Sequence, residues 1–575
     1  MNRNPKATQM NGLFRGQGGE LDTLRVQWWF RCAFALCALI DCWMSRFSIE
    51  PDSMFYMDMG DQYWKGNWHA ALNPYWSPFY GWLTGLMFRA TKPSMRWEYP
   101  EVHLLNFAIF VATLFCFEFF WRELLALRGD KAWAGVSRLY VWVLGYLLFA
   151  CVLFGADALA MVLPDLLVAA LVLLSSGMML RFMAGRMGTA SAVLLGVLLG
   201  VGYLAKSAML PIAFVAMTTM LIFAWRHRRR KSLIAASLLG FLSVALPFVI
   251  ALSLNLHRFT FGDSAKVNQG WLVNGVNPIY RHWQGDDMGH ADAQHPTRRV
   301  FAWPEVYEFA TPVEGTYPPG NDPAYWYAGL DSSVHPAREV KALFRNIGSI
   351  DEYFFGHLGF LTAVLLMMGS LSGRIKDVWR QFVGLWPILV PAVAAFMMFA
   401  MVHWEERYTF GMMLAGCGAA IASMSTLEEE RRICVLRAAS LALGSMVVCW
   451  VLPNLMWDGY RHGGMPAEQV VIAERLRTMS IEPGDRVALI GDGFVEYWAR
   501  LEKVRIVAEV PDVLEAGGAD SAAAFWDSSP EIEQEVLNVL RSTGAKAVVA
   551  ANPPRVLPPG WAQIGNTGHA VYFFR

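Results

Sequence analysis

Apolar runs long enough to cross a bilayer recur from residue 26 to residue 456, and that repetition leaves the chain little choice but a bundle of membrane-spanning helices. A helix of about 20 apolar residues spans the roughly 30 Å hydrocarbon layer, where every backbone polar group must be satisfied within the segment. Eleven such helices are expected, near 26–46, 102–126, 138–155, 164–182, 189–206, 208–225, 232–254, 356–373, 382–402, 408–425 and 433–455. Hydrophobic residues fill 55% of the 575 positions and charged residues only 17%, a balance that excludes a disordered or an ordinary soluble chain. The first run follows a polar head of about 25 residues, is too long for a signal-peptide core and lacks a small-x-small cleavage site, so it is expected to remain in the mature chain.

Lys and Arg in the short connections set the orientation. Arg3, Lys6, Arg15 and Arg25, then Arg128, Lys131 and Arg138, then Arg181 and Arg186, fall on one side of an eleven-span arrangement. RHRRRK at 226–231, RIKDVWR at 374–380 and EEERRICVLR at 428–437 fall on that side too. With that side cytoplasmic, residues 1–25 form a cytoplasmic segment and 26–456 a transmembrane domain with outer loops 47–101 and 255–355. Residues 457–575 then lie outside, where helical patterns around 467–479 and 530–541 alternate with strand-like runs at 487–491, 504–510, 547–550 and a final VYFF. That alternation predicts a small C-terminal α/β domain. The stretch SPFYGWLTGLMF at 77–88 is too short to span and predicts a helix lying in the interface plane. A formal net charge of zero gives no reason to expect nucleic acid. All eight cysteines lie in or at the edge of apolar helices, so neither a structural disulfide nor a cysteine zinc site is expected.

The polar chemistry concentrates in the first outer loop, SIEPDSMFYMDMGDQYWKGNWHAALNPYW at 48–76. Asp52 follows Pro51 just outside the first helix, so a rigid membrane end fixes its position. Asp58 and Asp61 would share a helical face, with Tyr56 nearby, and suit capping, pairing or cation binding. A carboxylate at the mouth of a membrane cavity can take the proton of a hydroxyl as that hydroxyl attacks; the simpler reading of any one of these acids is a solvated loop carboxylate. On the same outer side Asp165 opens the fourth helix, Lys206 ends the fifth and Arg407 follows the ninth. Ionisable groups near hydrocarbon are costly and point to function unless they snorkel to the interface. A Lys–Arg pair on the face that carries the acids is what a lipid phosphate would need. In the long segment, Trp283 and Trp326 suit stacking on sugar C–H faces, and interfacial anchoring would enrich the same residues. His295, with His282 and His290, lies among acids in a spacing that fits no ligand template, which favours a polar lid over a metal site.

The loop PDSMFYMDMGDQYWKGNWHAALNPYWSPFYGWL resembles the first outer loop of GT-C fold glycosyltransferases that use polyprenyl-phosphate sugars. That group holds protein O-mannosyltransferases, aminoarabinose transferases and rhizobial-type lipopolysaccharide glycosyltransferases. Asp52, Tyr56 and NPYWSPFYGW match its catalytic signature, and LPDLL at 163–167 and GYLAKSAMLP at 202–211 are similar to its later motifs. Two features depart from it: Ser53 stands where many relatives carry Glu or Gly, which puts a paired-carboxylate or metal-dependent mechanism in doubt, and the segment 255–355 is long, which leaves the acceptor open.

The resemblance implies a GT-C-like polytopic protein of the cytoplasmic (inner) membrane with its active site on the periplasmic or other extracytoplasmic side. The implied reaction is inverting hexosyl or pentosyl transfer from a polyprenyl-phosphate sugar to a lipid, glycan or protein acceptor. Asp52 would be the general base, Lys206 and Arg407 would hold the donor phosphate, and Tyr56, Asp58, Asp61 and Asp165 would support the site. Trp283, His295 and Trp326 would meet sugar or acceptor, and a divalent cation is optional. A transporter would show related half-repeats with interrupted helices, and none is visible; a lipid-linked glycan ligase or polymerase would differ mainly in donor size.

Overall fold

The computed structural model describes residues 20–129, 133, 136, 138–155, 158–275, 297–309, 315–327, 330–353, 374–463, 468–512 and 520–574. It is a multi-pass α-helical membrane protein with a small mixed sheet. Six described helices are long and apolar enough to cross a membrane: Met95–Arg128, Asp165–Met183, Met209–Arg226, Ser232–Asn255, Glu406–Thr426 and Glu429–Trp457. Ile375–Val383 and Trp386–Val402 form a seventh span if counted together, although they meet at 78°. Arg138–Leu153 and Thr189–Ala205 are shorter apolar helices, and Glu20–Met44 carries Arg31 and Asp41 within it. Apart from Ile375–Val383, which lies mostly on the basic connection expected at 374–380, each of these helices falls on one of the expected segments, and the expected span at 356–373 lies outside the described residues.

The chain divides into two compact units, the first comprising Met1–Arg46, His103–Phe248 and Val340–Gly463. It is the helical bundle, and several of its buried charges are paired within it. Arg31 donates to both carboxylate oxygens of Glu118, at 2.8 and 2.6 Å, and the Tyr146 hydroxyl adds a third bond at 2.6 Å. Glu123 lies 2.9 Å from Arg181 and 2.8 Å from Arg186. Small residues let backbones close up where side chains would hold them apart. A Cβ on Gly196 would strike the Ser237 carbonyl, and one on Gly240 the Val193 carbonyl, so helices Thr189–Ala205 and Ser232–Asn255 touch backbone to backbone.

The second unit comprises Phe47–Val102, Val249–Glu339 and Gly464–Arg575. Its first helix, Pro51–Lys65, starts where Pro51 supplies a preset φ and Glu50 with Ser53 closes a capping box. The interfacial stretch forms helix Pro78–Thr91, which packs on the first through glycines: a Cβ on Gly85 would come within 2.5 Å of the Gly60 carbonyl oxygen. The asparagine of NPYW folds its own turn, Asn73 Oδ1 accepting from the N–H groups of Tyr75 and Trp76 at 2.9 and 3.0 Å. Its Nδ2 donates to the Asn321 carbonyl at 2.7 Å, and Trp76 Nε1 donates to the Gly320 carbonyl at 2.9 Å, joining the first loop to the long segment.

Among the described residues the sheet of this unit has seven strands in the order β1-β2-β4-β3-β5-β7-β6. These are β1 Thr297–Phe301, β2 Val306–Phe309, β3 Arg486–Ile490, β4 Arg505–Val510, β5 Ala547–Ala551, β6 Trp561–Gln563 and β7 His569–Phe573. The inner three, β4-β3-β5, run parallel and the rest pair antiparallel. Helix Pro530–Ser542 buries Val536, Leu537 and Leu540 in a core with Ile490, Val507, Phe525 and Val548. The strands expected at 487–491, 504–510 and 547–550 and the final strand are present, as are the helices near 467–479 and 530–541. One expectation needs correcting: the sheet is not built from the C-terminal segment alone. Two of its strands come from the long segment 255–355, where five- and four-residue runs with mixed burial give too short an alternation to read.

The glycine contact yields a test. Gly60→Ala should lower the thermal unfolding midpoint by an amount equivalent to about 1–3 kcal/mol, the usual cost of overpacking. Gly416→Ala, where a Cβ meets nothing within 4 Å, should leave the midpoint level or raise it slightly, and a fluorescence melt in detergent reads both.

Candidate functional site

Asp52 occupies the first turn of helix Pro51–Lys65 and is half-buried. The open backbone N–H groups and dipole of a helix N-terminus stabilise negative charge there. Ser53, the departure from the family pattern, secures the helix that carries the acid, because its hydroxyl accepts from the Glu50 N–H at 3.2 Å and so fixes where that helix begins. Tyr56 is 6% exposed and packs edge-on against Trp76 and Tyr80, which makes it a prop behind this helix rather than an exposed contact.

Asp58 and Asp61 turn to one cation. Arg500, its side chain 3% exposed, donates from Nη1 to Asp58 Oδ1 at 2.7 Å and lies 2.7 Å from Asp61 Oδ2. Its Nε donates to Glu98 Oε1 at 2.7 Å, and Lys503 Nζ stands 2.8 Å from Glu98 Oε2 and 3.6 Å from Asp61. Asp58 also accepts from the Thr316 N–H at 2.7 Å, the Thr316 hydroxyl at 3.1 Å and Asn321 Nδ2 at 3.1 Å. Burial raises the Asp61 pKa, but the charges of Arg500 and Lys503 outweigh it and hold the carboxyl below its ordinary value. Of the three roles open to Asp58 and Asp61, pairing is the one observed. No group of three or more His, Cys, Asp or Glu side chains among the described residues is arranged to hold a metal.

A second cluster forms in the helical unit. Asp165 begins helix Asp165–Met183 and Lys206 caps the end of helix Thr189–Ala205. Each charge suits the helix end it occupies, and the short connection between the two helices brings those ends to one level. Lys206 Nζ lies 2.5 Å from Asp165 Oδ1 and 3.7 Å from the centre of the Tyr408 ring, and the Arg407 guanidinium is 5.2 Å from the same ring. Arg407 Nε is bonded to Glu405, which also sits 2.8 Å from His403. Burial raises the Glu405 pKa, but the bonds from His403 and Arg407 outweigh it and hold the group at about 2. An ammonium carries three N–H donors and a guanidinium five, so one carboxylate apiece does not exhaust them.

Thus Asp165, Lys206 and Arg407 come together, while Asp52, Tyr56, Asp58 and Asp61 share another helix. Trp326 is 1% exposed and packs among Tyr75, Trp76 and Trp271, a core position with no open stacking face. Trp283 and His295 lie outside the described residues. Sequence reasoning missed Arg500 and Glu98 as members of the first of these clusters. The only hint was a surplus of acids in the first outer loop, which called for a cation without saying which.

No protein-family model matches the chain, and no curated protein matches it in sequence. Solved structures do resemble it. ArnT from Cupriavidus metallidurans bound to undecaprenyl phosphate superposes with a TM-score of 0.50 at 13% identity, over 94% of this chain and 96% of that one. The apo state of the same protein gives 0.50 at 12% identity, over 95% and 98%. An Archaeoglobus fulgidus oligosaccharyltransferase reaches 0.48 at 13% identity, over 90% of this chain and 67% of that one. At such identities the ArnT match establishes a shared fold.

Asp165→Asn leaves the Lys206 ammonium, 22% exposed, without its nearest counter-ion. The expected loss is about 3 kcal/mol of stability, at the low end for a buried pair, and Asp165→Asn with Lys206→Met should restore most of it in a detergent melt.

Proposed function

From the GT-C fold of this chain we propose that it is a glycosyltransferase of the cytoplasmic membrane. In this reading it moves a sugar from a polyprenyl-phosphate donor to a lipid, glycan or protein acceptor on the extracytoplasmic side, with inversion at the anomeric carbon. The observation that carries the reading is the convergence of Lys206 and Arg407 on Tyr408, two cations from separate helix ends beside apolar spans. The fold match to a protein that binds undecaprenyl phosphate is consistent with it.

The chemistry asks for two things. The acceptor hydroxyl must lose a proton as its oxygen bonds to the anomeric carbon, and Asp52 is the group assigned to take it. The bond from that carbon to the phosphate oxygen breaks, and the departing polyprenyl phosphate gains one negative charge. Lys206 and Arg407 are assigned to meet that charge; Asp165 and Glu405 keep both cations oriented before the donor arrives. Cations held in place stabilise a developing charge without reorganising at the moment of reaction. A cation-assisted route through Asp58 and Asp61 fits less well, because their charge is already answered by Arg500 and Lys503.

Purified protein given radiolabelled polyprenyl-phosphate sugars and an envelope extract should move label from lipid to acceptor; folded protein that moves none across a broad donor panel would favour transport or binding instead. Asp52→Asn should cut transfer about 10²–10⁴-fold with membrane insertion intact, and retained activity would remove Asp52 from its role. Lys206→Ala should raise the apparent KM in a donor titration, and an unchanged KM would place the phosphate elsewhere.

A further inference from the structure

The described fold gives the C-terminal segment a role that sequence reading left open. Strand β3 runs out through the loop GDGFVEY into the short helix Trp498–Glu502, which presents Arg500. Arg500 then spans three carboxylates: Asp58 and Asp61, on adjacent turns of helix Pro51–Lys65, and Glu98, at the start of helix Met95–Arg128. A planar guanidinium holds carboxylates in a fixed geometry that an ammonium cannot reproduce. Gripping two successive turns sets both the rotation and the axial position of the helix, and Asp52 rides on its first turn.

The same segment approaches the helix start as well. Tyr99 donates its hydroxyl to the Tyr497 carbonyl at 2.7 Å, and Phe494 packs edge-on against Phe55. Glu50 and Asp52 lie within electrostatic reach of Tyr497, where burial first and then their charges raise the phenol pKa.

We propose that Arg500 is a positioning residue: through Asp58, Asp61 and Glu98 it fixes the helix that carries Asp52, so the C-terminal sheet is part of the catalytic apparatus and not an appended module. The proposal rests on the glycosyltransferase reading for the word catalytic, and on geometry alone for the mechanical link.

The test uses the full-length protein in nanodiscs. Arg500→Lys retains the charge and loses the three-way grip. It should bind donor with a KM within about twofold of wild type, lose at least tenfold in kcat, and show faster amide hydrogen exchange over residues 51–65. A role in folding alone would instead leave kcat per folded molecule unchanged. Should Arg500→Lys fail to fold, the neutral set Arg500→Met, Asp58→Asn, Asp61→Asn and Glu98→Gln removes the buried charges together, and replacing a whole ionic cluster in this way is often tolerated. That variant should fold and stay slow; full recovery of kcat would reduce Arg500 to charge balance and overturn the proposal. Unchanged exchange over 51–65 would also overturn it, whether or not transfer is detected. Wild-type protein that transfers no sugar, with the exchange difference present, would refute the glycosyltransferase reading while confirming the link.

Discussion

A charge removed from water needs a partner, and in this chain that requirement organises both units. In hydrocarbon or a dry interior the cost of an unpaired ion is several kcal/mol, enough to unfold a marginally stable protein. Arg31 meets Glu118, Glu123 meets Arg181 and Arg186, and Asp165 meets Lys206 within the helical bundle. Asp58, Asp61 and Glu98 meet Arg500 in the other unit. Each pair joins elements distant in sequence, so satisfying the charges and assembling the fold are one event. Glycine contacts bring elements together by another route: Gly60 and Gly85 let two helices of the second unit approach backbone to backbone.

The clusters differ in what remains available to a substrate. Arg500, Asp58 and Glu98 are almost wholly buried and Asp58 is bonded on several sides, so these three act on whatever is attached to them. Lys206 and Arg407 keep partial exposure and donors beyond their acid partners. Asp52 stays half-buried in the first turn of a helix whose next turns are clamped. Under the proposed role of Asp52 such support would matter, since misplacement of a reacting group by about 1 Å can cost two orders of magnitude in rate.

Legibility in the sequence followed the range of the signal. Apolar length is local, so the helices were visible from composition and spacing. The parallel strands β3, β4 and β5 announced themselves as short β-branched runs between turns. Asp52, Lys206 and Arg407 could be singled out as candidates because each adjoins the end of an apolar run, where a charge is conspicuous. Arg500 had no such setting: WARLEK in a soluble segment looks like any surface helix, and only tertiary contact buries it. Trp326 failed in the opposite sense, since an aromatic-rich loop suggested open faces and the rings packed on one another instead. Strands β1 and β2 were hidden because both are short and because β4, the strand that joins β2 to the rest of the sheet, lies some two hundred positions along the chain.

That last separation bears on how the molecule is made. Strand β2 pairs with β4 at Tyr307 and Glu509, and Phe309 and Val306 are buried only once the sheet exists. A ribosome adding about 5–20 residues per second emits β2 well before its partner, and the intervening helices must enter the lipid in the meantime. The β1–β2 hairpin therefore waits with an open edge and apolar side chains uncovered, a state that invites pairing with the wrong strand. Its brevity and its charged residues, Arg298, Arg299 and Glu308, are what keep such an edge soluble until the final strands arrive.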